Sequence, residues 1–211
     1  MKYIAKYLTV LVIAVLVARC YDIQGSYDYT PYNCSPYINM TSWEFIESRQ
    51  DIFSLLKESI EFVDENYPGF KELYTQTSRK YTYLHMTNEA FVTTNGVFNR
   101  NNTPSHRVRD MDPAVLRNVL YYHMVDGFYH TLDVSGSLSF TPINVITLLR
   151  TSEGAMTLKM DDNTGRSRYS TLRVNAGVHK RRERVAVSSN IMATNGAIHV
   201  FDAYLLYEYI P

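Results

Sequence analysis

Apolar residues along this chain recur first at helical spacing and later at strand spacing. Ile52, Leu55, Leu56, Ile60 and Val63 repeat at three- and four-residue steps, which predicts a helix with one buried stripe. Before it, Thr41-Ser42-Trp43-Glu44 fits a capping box, so a shorter helix is expected through Ile46. Pro68-Gly69 ends the long helix, and Phe70, Leu73 and Tyr74 suggest one helical turn beyond. Tyr81-Thr82-Tyr83-Leu84-His85 reads as a strand of aromatic and β-branched residues. Residues 94–110 are polar and loop-like. Asp112-Pro113 then opens another helix, with an aspartate cap and proline at the first helical position, and Val115, Leu116, Val119, Leu120 and His123 share its apolar face.

Beyond Gly127 the pattern shortens to strands: Val145–Leu149, Met156–Met160, Tyr169–Val174, Val185–Ser189 and Ile198–Leu206. Asp161–Gly165 is expected as a hairpin turn between two of them. Glycine falls one position early there for a calcium loop, and no glutamate stands at its twelfth position. Helices followed by a run of strands imply an α+β domain, not alternating βαβ units.

The first twenty residues belong to neither pattern. Lys2 and Lys6 precede an uncharged run from Tyr7 to Val17, a length suited to an export signal and short for a membrane span. Ala18-Arg19-Cys20 follows at once and resembles a bacterial lipobox, which makes Cys20 the expected lipidation site. Arg19 departs from the small residue usual there, so an uncleaved anchor and cleavage nearby without lipid stay open. Residues 21–40, with Gly25, Pro31, Pro36 and five tyrosines, read as a tether, leaving 41–211 for one domain. If Cys20 carries lipid, Cys34 is an odd thiol; if not, the two form a bridge across a short loop. The triplets at Asn33, Asn39 and Asn101 match a glycosylation pattern and are read as chance, because a lipobox implies a bacterium.

Charge narrows the partners. The 21 basic and 21 acidic residues cancel, but residues 1–19 hold three bases and no acid. A chain starting at Cys20 therefore carries 18 bases against 21 acids, net −3, and has no global attraction for nucleic acid. Tyrosine is abundant, at 18 residues beside one tryptophan, and suits sheet packing and recognition surfaces alike.

Three segments in order carry a resemblance. Tyr81–Phe91 (YTYLHMTNEAF), Val119–Val125 (VLYYHMV) and Ala193–Asp202 (ATNGAIHVFD) are similar to the first signature, the tyrosine–histidine motif and the second signature of the fasciclin domain family. Met86 stands where that family often has proline, and Phe201 where it has a smaller aliphatic residue. The resemblance covers roughly residues 41–210. It implies a wedge of β-sheet flanked by helices, a role in adhesion or protein binding, and no catalytic activity or cofactor. It makes Thr87, Asn88, Phe91, Asn195, Gly196, His199 and Asp202 structural signature residues.

Reactive constellations are sparse. No Gly-x-Ser-x-Gly, His-Glu-x-x-His or phosphate loop occurs. Two cysteines without a histidine cluster do not complete a tetrahedral metal site. His199 and Asp202, three apart on a strand, point to opposite faces and are read as separate buried polar groups. Asn195 and Gly196 are expected to supply a left-handed or tight turn. His123 reads as a core histidine, with the family's receptor-binding link as the alternative, which makes Tyr121, Tyr122 and His123 candidates for contact with a partner. Lys180, Arg181 and Arg182 read as a solvated hairpin tip, or as a contact for acidic glycan or lipid headgroups. The expected product is a lipid-anchored module of the cell envelope that binds a protein or glycan. An accessory subunit beside an outer-membrane nutrient transporter is the alternative.

Overall fold

The capping chemistry predicted at Thr41 is present. In the computed structural model, which describes residues 35–101, 103, 105–132, 138–161, 171–177 and 183–205, the Thr41 hydroxyl accepts the Glu44 N–H. The Glu44 carboxylate in turn accepts the Thr41 N–H at 2.7 Å. Helix α1 (Ser42–Ser48) starts there, and α2 (Gln50–Asn66) follows with Phe53, Leu56, Ile60 and Val63 buried. A short α3 (Glu72–Thr75) leads to strand β1 (Tyr81–Met86). Helix α4 (Asn88–Val92) and helix α5 (Val97–Arg100) come next. Asp112 caps α6 (Pro113–Tyr122) by accepting the Ala114 N–H at 2.7 Å. The export signal, Cys20, Cys34, the Asp162–Gly165 part of the turn and Lys180–Arg182 lie outside the described residues.

The strands form two four-stranded sheets. The first has the order β2 (Met124–Val125), β1, β8 (Gly196–Phe201), β7 (Ser188–Ala193). Its central pair, β1 and β8, runs parallel from Tyr81↔Gly196 to Met86↔Phe201. Every residue of both strands is buried. Cover on both faces explains why neither strand alternates polar with apolar. The second sheet is antiparallel: β3 (Ile143–Ile146), β4 (Ala155–Met160), β5 (Leu172–Val174) and β6 (Arg184–Val185). It does alternate, with Val145, Met156, Leu158, Leu172 and Val174 turned into the core. Hydrogen bonds from Asp126 N to Ile146 O (2.9 Å) and from Leu148 N to Met124 O (2.8 Å) link the sheets at one margin. The chain itself links them at the other, through Ala186 and Val187.

Several boundaries differ from the sequence pattern. The expected strand Val185–Ser189 is two strands in different sheets, with the crossing at Ala186–Val187, and β7 continues to Ala193. Strand β8 begins at Gly196 and ends at Phe201, and β3 spans Ile143–Ile146. The polar stretch 94–110 contains α5 and a 3₁₀ turn (Val108–Asp110). There a few apolar residues, Val97, Phe98 and Val108, are fully buried and hold an otherwise polar segment down. Residues 36–40, at the end of the segment read as tether, lie along β7. Met192 N donates to Pro36 O (2.8 Å), Ile38 N to Met192 O (2.9 Å) and Thr194 N to Met40 O (2.9 Å).

Candidate functional site

The signature residues act first as internal ties. Asn195 sits fully buried in the two-residue turn joining β7 to β8. Its Oδ1 accepts the Ser42 N–H at 2.8 Å and its Nδ2 donates to Tyr74 O at 2.8 Å, so one amide fastens the start of α1 and the body of α3 to the sheet. Of the left-handed or tight turn expected here, Asn195 supplies the tight turn, while neither Asn195 nor Gly196 takes a left-handed conformation. Gly196 is required for a different reason: a Cβ there would lie 2.0 Å from Tyr81 O on the neighbouring strand. Asn88 performs a comparable service in α2. Its Oδ1 accepts the Leu55 N–H (3.0 Å) and its Nδ2 donates to Asp51 O (3.3 Å), the two groups that an unbroken helix joins directly. Phe53, between them, has non-helical angles (φ −120°, ψ 16°), so the inserted amide accounts for the kink. Phe91 is fully buried and packs on Phe98, while Thr87 precedes α4 and its Oγ1 is buried without a partner among the described residues.

Three of the buried histidines, His85, His123 and His199, are held neutral by burial. His123 Nδ1 donates to Val119 O (2.7 Å) and Nε2 accepts the Leu205 N–H (3.3 Å), which fixes the Nδ1–H tautomer. Burial pulls its pKa down to about 4. His199 Nε2 donates to Tyr129 O (3.1 Å) while Nδ1 is buried without a partner among the described residues, and burial again lowers the pKa to about 4. His85, which the sequence pattern marked only as part of a strand, meets Ser42 Oγ through Nε2 (2.9 Å) among the rings of Phe45, Phe53 and Tyr83. Burial, helped by nearby His199, takes it to about 3. Asp202 does not share this setting. It lies beyond the end of β8 and is exposed, not buried as expected, because the strand stops at Phe201.

The tyrosine–histidine segment splits between inside and outside. Tyr122 is buried with its hydroxyl accepting from Asn175 Nδ2 (3.1 Å), and His123 is enclosed against Tyr204. Neither is available to a partner. Tyr121 is half-buried, its ring braced on Phe70 at 5.2 Å, and it faces an open cleft of about 410 Å³. Leu73 of α3, Tyr81 at the start of β1, Asn118 and Tyr121 of α6, and Arg150 and Thr151 after β3 line that cleft. The wall after β3 is fixed by the Leu148 bond to β2 and by Thr147, whose N and Oγ1 both donate to Gly154 O (2.9 and 2.8 Å). At the rim, Asp126 accepts from Arg79 on one oxygen and from Arg150 on the other, each at 2.5 Å. Tyr81 was marked only as the start of a strand and of the first signature segment, and no short-range pattern marked Asn118, Asp126 or Arg150; the four come together only through the fold. Among the described residues no group of three or more His, Cys, Asp or Glu is placed to hold a metal ion.

Comparison with known proteins adds a family. The sequence model described as "Fasciclin domain" matches residues 56–207. No curated protein matches the chain. Among solved structures it is similar to a FAS1 domain pair from the insect cell adhesion molecule Fasciclin I. The two are 18% identical with a TM-score of 0.47, over 72% of this chain and 45% of that one. The chain thus spans less than half of that structure's length.

Proposed function

The chain belongs to the fasciclin domain family, and from that premise we propose that it is a lipid-anchored interaction module of the cell envelope that binds a protein or glycan partner. Fasciclin domains are interaction modules of the adhesion type. One observation carries the reading. The signature amides and histidines are engaged in fastening backbone to backbone, while Tyr121 alone of the tyrosine–histidine segment turns to an open cleft. Groups already committed to the scaffold are not poised for bond-making, whereas an aromatic, hydrogen-bonding cleft suits recognition. The Lys2–Cys20 segment supports export and anchoring, with residues 21–40 read as the tether, of which 36–40 lie along β7.

The anchor and the binding role are tested apart. Replacing Cys20 with alanine is expected to abolish labelling by an alkyne-tagged fatty acid and to move the protein from the membrane to the soluble fraction. Labelling that persists at another residue overturns the assignment. For binding, the intact chain in detergent micelles is applied to an array of glycans and peptides. Retention of none refutes the module reading.

A further inference from the structure

The cleft beside Tyr121 has a charge pattern of its own. Among the described residues Asp126 is the one carboxylate paired with Arg79 and Arg150, and its side chain is 20% exposed, whereas those of Arg79 and Arg150 are each 58% exposed. Two guanidinium groups thus share one acid, which leaves a local excess of one positive charge on a chain that is otherwise net acidic after Cys20. Each guanidinium has five N–H donors in a planar fork. Arg150 makes one contact to Asp126 and lines the cleft with donors still open to solvent. A fork of this kind matches an anionic oxygen pair better than it matches a neutral group.

The rest of the lining selects what the anion is attached to. Tyr121 is held from behind by Phe70, and Leu73 adds apolar surface beside it. Asn118, Thr151 and the two phenols of Tyr81 and Tyr121 are neutral groups that both donate and accept. An apolar ring face, several neutral hydrogen-bonding groups and one cation fit a hydroxyl-rich ring bearing a carboxylate. An acidic peptide could also pair with these neutral groups, so the ring face of Tyr121 and the density of paired donor and acceptor groups are what favour a sugar. The walls are preorganised, because the Tyr83 hydroxyl donates to Leu73 O (2.8 Å) and the 147–154 segment is tied to β2, so little ordering opposes binding. The volume of about 410 Å³ falls within the range of small-ligand sites and accommodates a short saccharide.

The geometry points to this cleft as a binding site for an acidic saccharide, with Arg150 receiving a sugar carboxylate and Tyr121 meeting the ring face. It rests on the reading of the chain as an interaction module and names the ligand class of that module. Arg79 serves as a positioning residue, holding Asp126 so that Arg150 extends along the cleft wall.

The test is isothermal titration of the intact, detergent-solubilised chain with trigalacturonate, galactotriose and triglutamate. Trigalacturonate is expected to bind, and to bind more weakly as salt rises, because the contact is between partly exposed charges. Arg150→Ala and Tyr121→Ala should each weaken it by about tenfold or more, Arg150→Ala with the unfolding curve in place and Tyr121→Ala with some loss of stability, since its ring packs on Phe70. Arg150→Lys, which keeps the charge and loses the fork, should recover only part of the loss. Equal binding of galactotriose, binding of triglutamate as tight as that of trigalacturonate, or unchanged affinity in Arg150→Ala each overturn the inference. Lack of trigalacturonate binding by a chain that still retains another ligand on the array also overturns it, and leaves the module reading standing. Failure to retain any ligand removes both.

Discussion

Lowering the pH from about 7 to about 5 should destabilise the domain through three histidines that have no route to water. His85, His123 and His199 are buried, and burial is the leading cause that takes their pKa values from 6.5 to about 3, 4 and 4. In the folded state all three stay neutral across this window. In the unfolded chain each binds a proton as the pH falls through 6.5. The unfolded state therefore holds more protons, and stability drops as acid is added. The full contribution is present above pH 6.5 and is lost on the way down to the folded pKa values. One unit of pKa corresponds to about 1.4 kcal/mol, so each histidine loses about 2 kcal/mol between pH 7 and 5, and the three together about 6 kcal/mol. Any folded pKa of about 4 or lower gives nearly the same figure, so the magnitude depends on the rings being buried and neutral, not on how far below that each value is pushed. That loss is comparable to the whole stability of many domains, about 5–15 kcal/mol.

Urea unfolding at a series of pH values measures it, with emission from Trp43, the one tryptophan and a buried one, as the signal. Glu44, Asp51 and Glu65, whose pKa values are lowered mainly by hydrogen bonds, add a loss of the same sign only below the carboxylate range. The histidine window is therefore read above pH 5. His123→Gln should reduce the slope of stability against pH by about one proton's worth, roughly a third of the total. A stability that is flat or rises between pH 7 and 5 refutes the burial argument.

Two further substitutions probe the scaffold. Gly196→Ala places a methyl group 2.0 Å from Tyr81 O, so β1 and β8 must part; a loss of about 2–3 kcal/mol in urea unfolding is expected, and an unchanged curve shows the close approach is wrong. Asn88→Ala removes the amide partners of Leu55 N and Asp51 O and should cost about 1–3 kcal/mol, with Asn88→Asp losing less because it keeps the acceptor; equal stability of all three chains argues against the amide bridging the kink.

Local chemistry is where sequence and structure agree most closely. A hydroxyl three residues before a carboxylate, or an aspartate before a proline, stabilises a helix start wherever it occurs, so Thr41 and Asp112 announced their helices. The stripe from Ile52 to Val63 and the aromatic strand at Tyr81 were legible for the same reason, since periodicity reflects the face a segment must bury. Motif order supplied the family. The kink at Phe53 was not legible, because it depends on an amide 35 positions away in sequence at Asn88.

Tertiary structure decided what the motifs do. Gly196 looked like a turn residue from its neighbours, and only the parallel pairing with β1 shows that it must lack a side chain. Val185–Ser189 looked like one strand because composition does not record a crossing between sheets. Tyr121, Tyr122 and His123 are consecutive and chemically alike, yet helix geometry and the packing of Tyr204 and Asn175 enclose two and leave one at the cleft. Arg79, Asp126 and Arg150 form one electrostatic unit although nothing in their local sequence links them. The strength of a cap or a stripe is set within a few residues, but the field at a cleft is summed over every group the topology brings near, and that sum exists only in the folded chain.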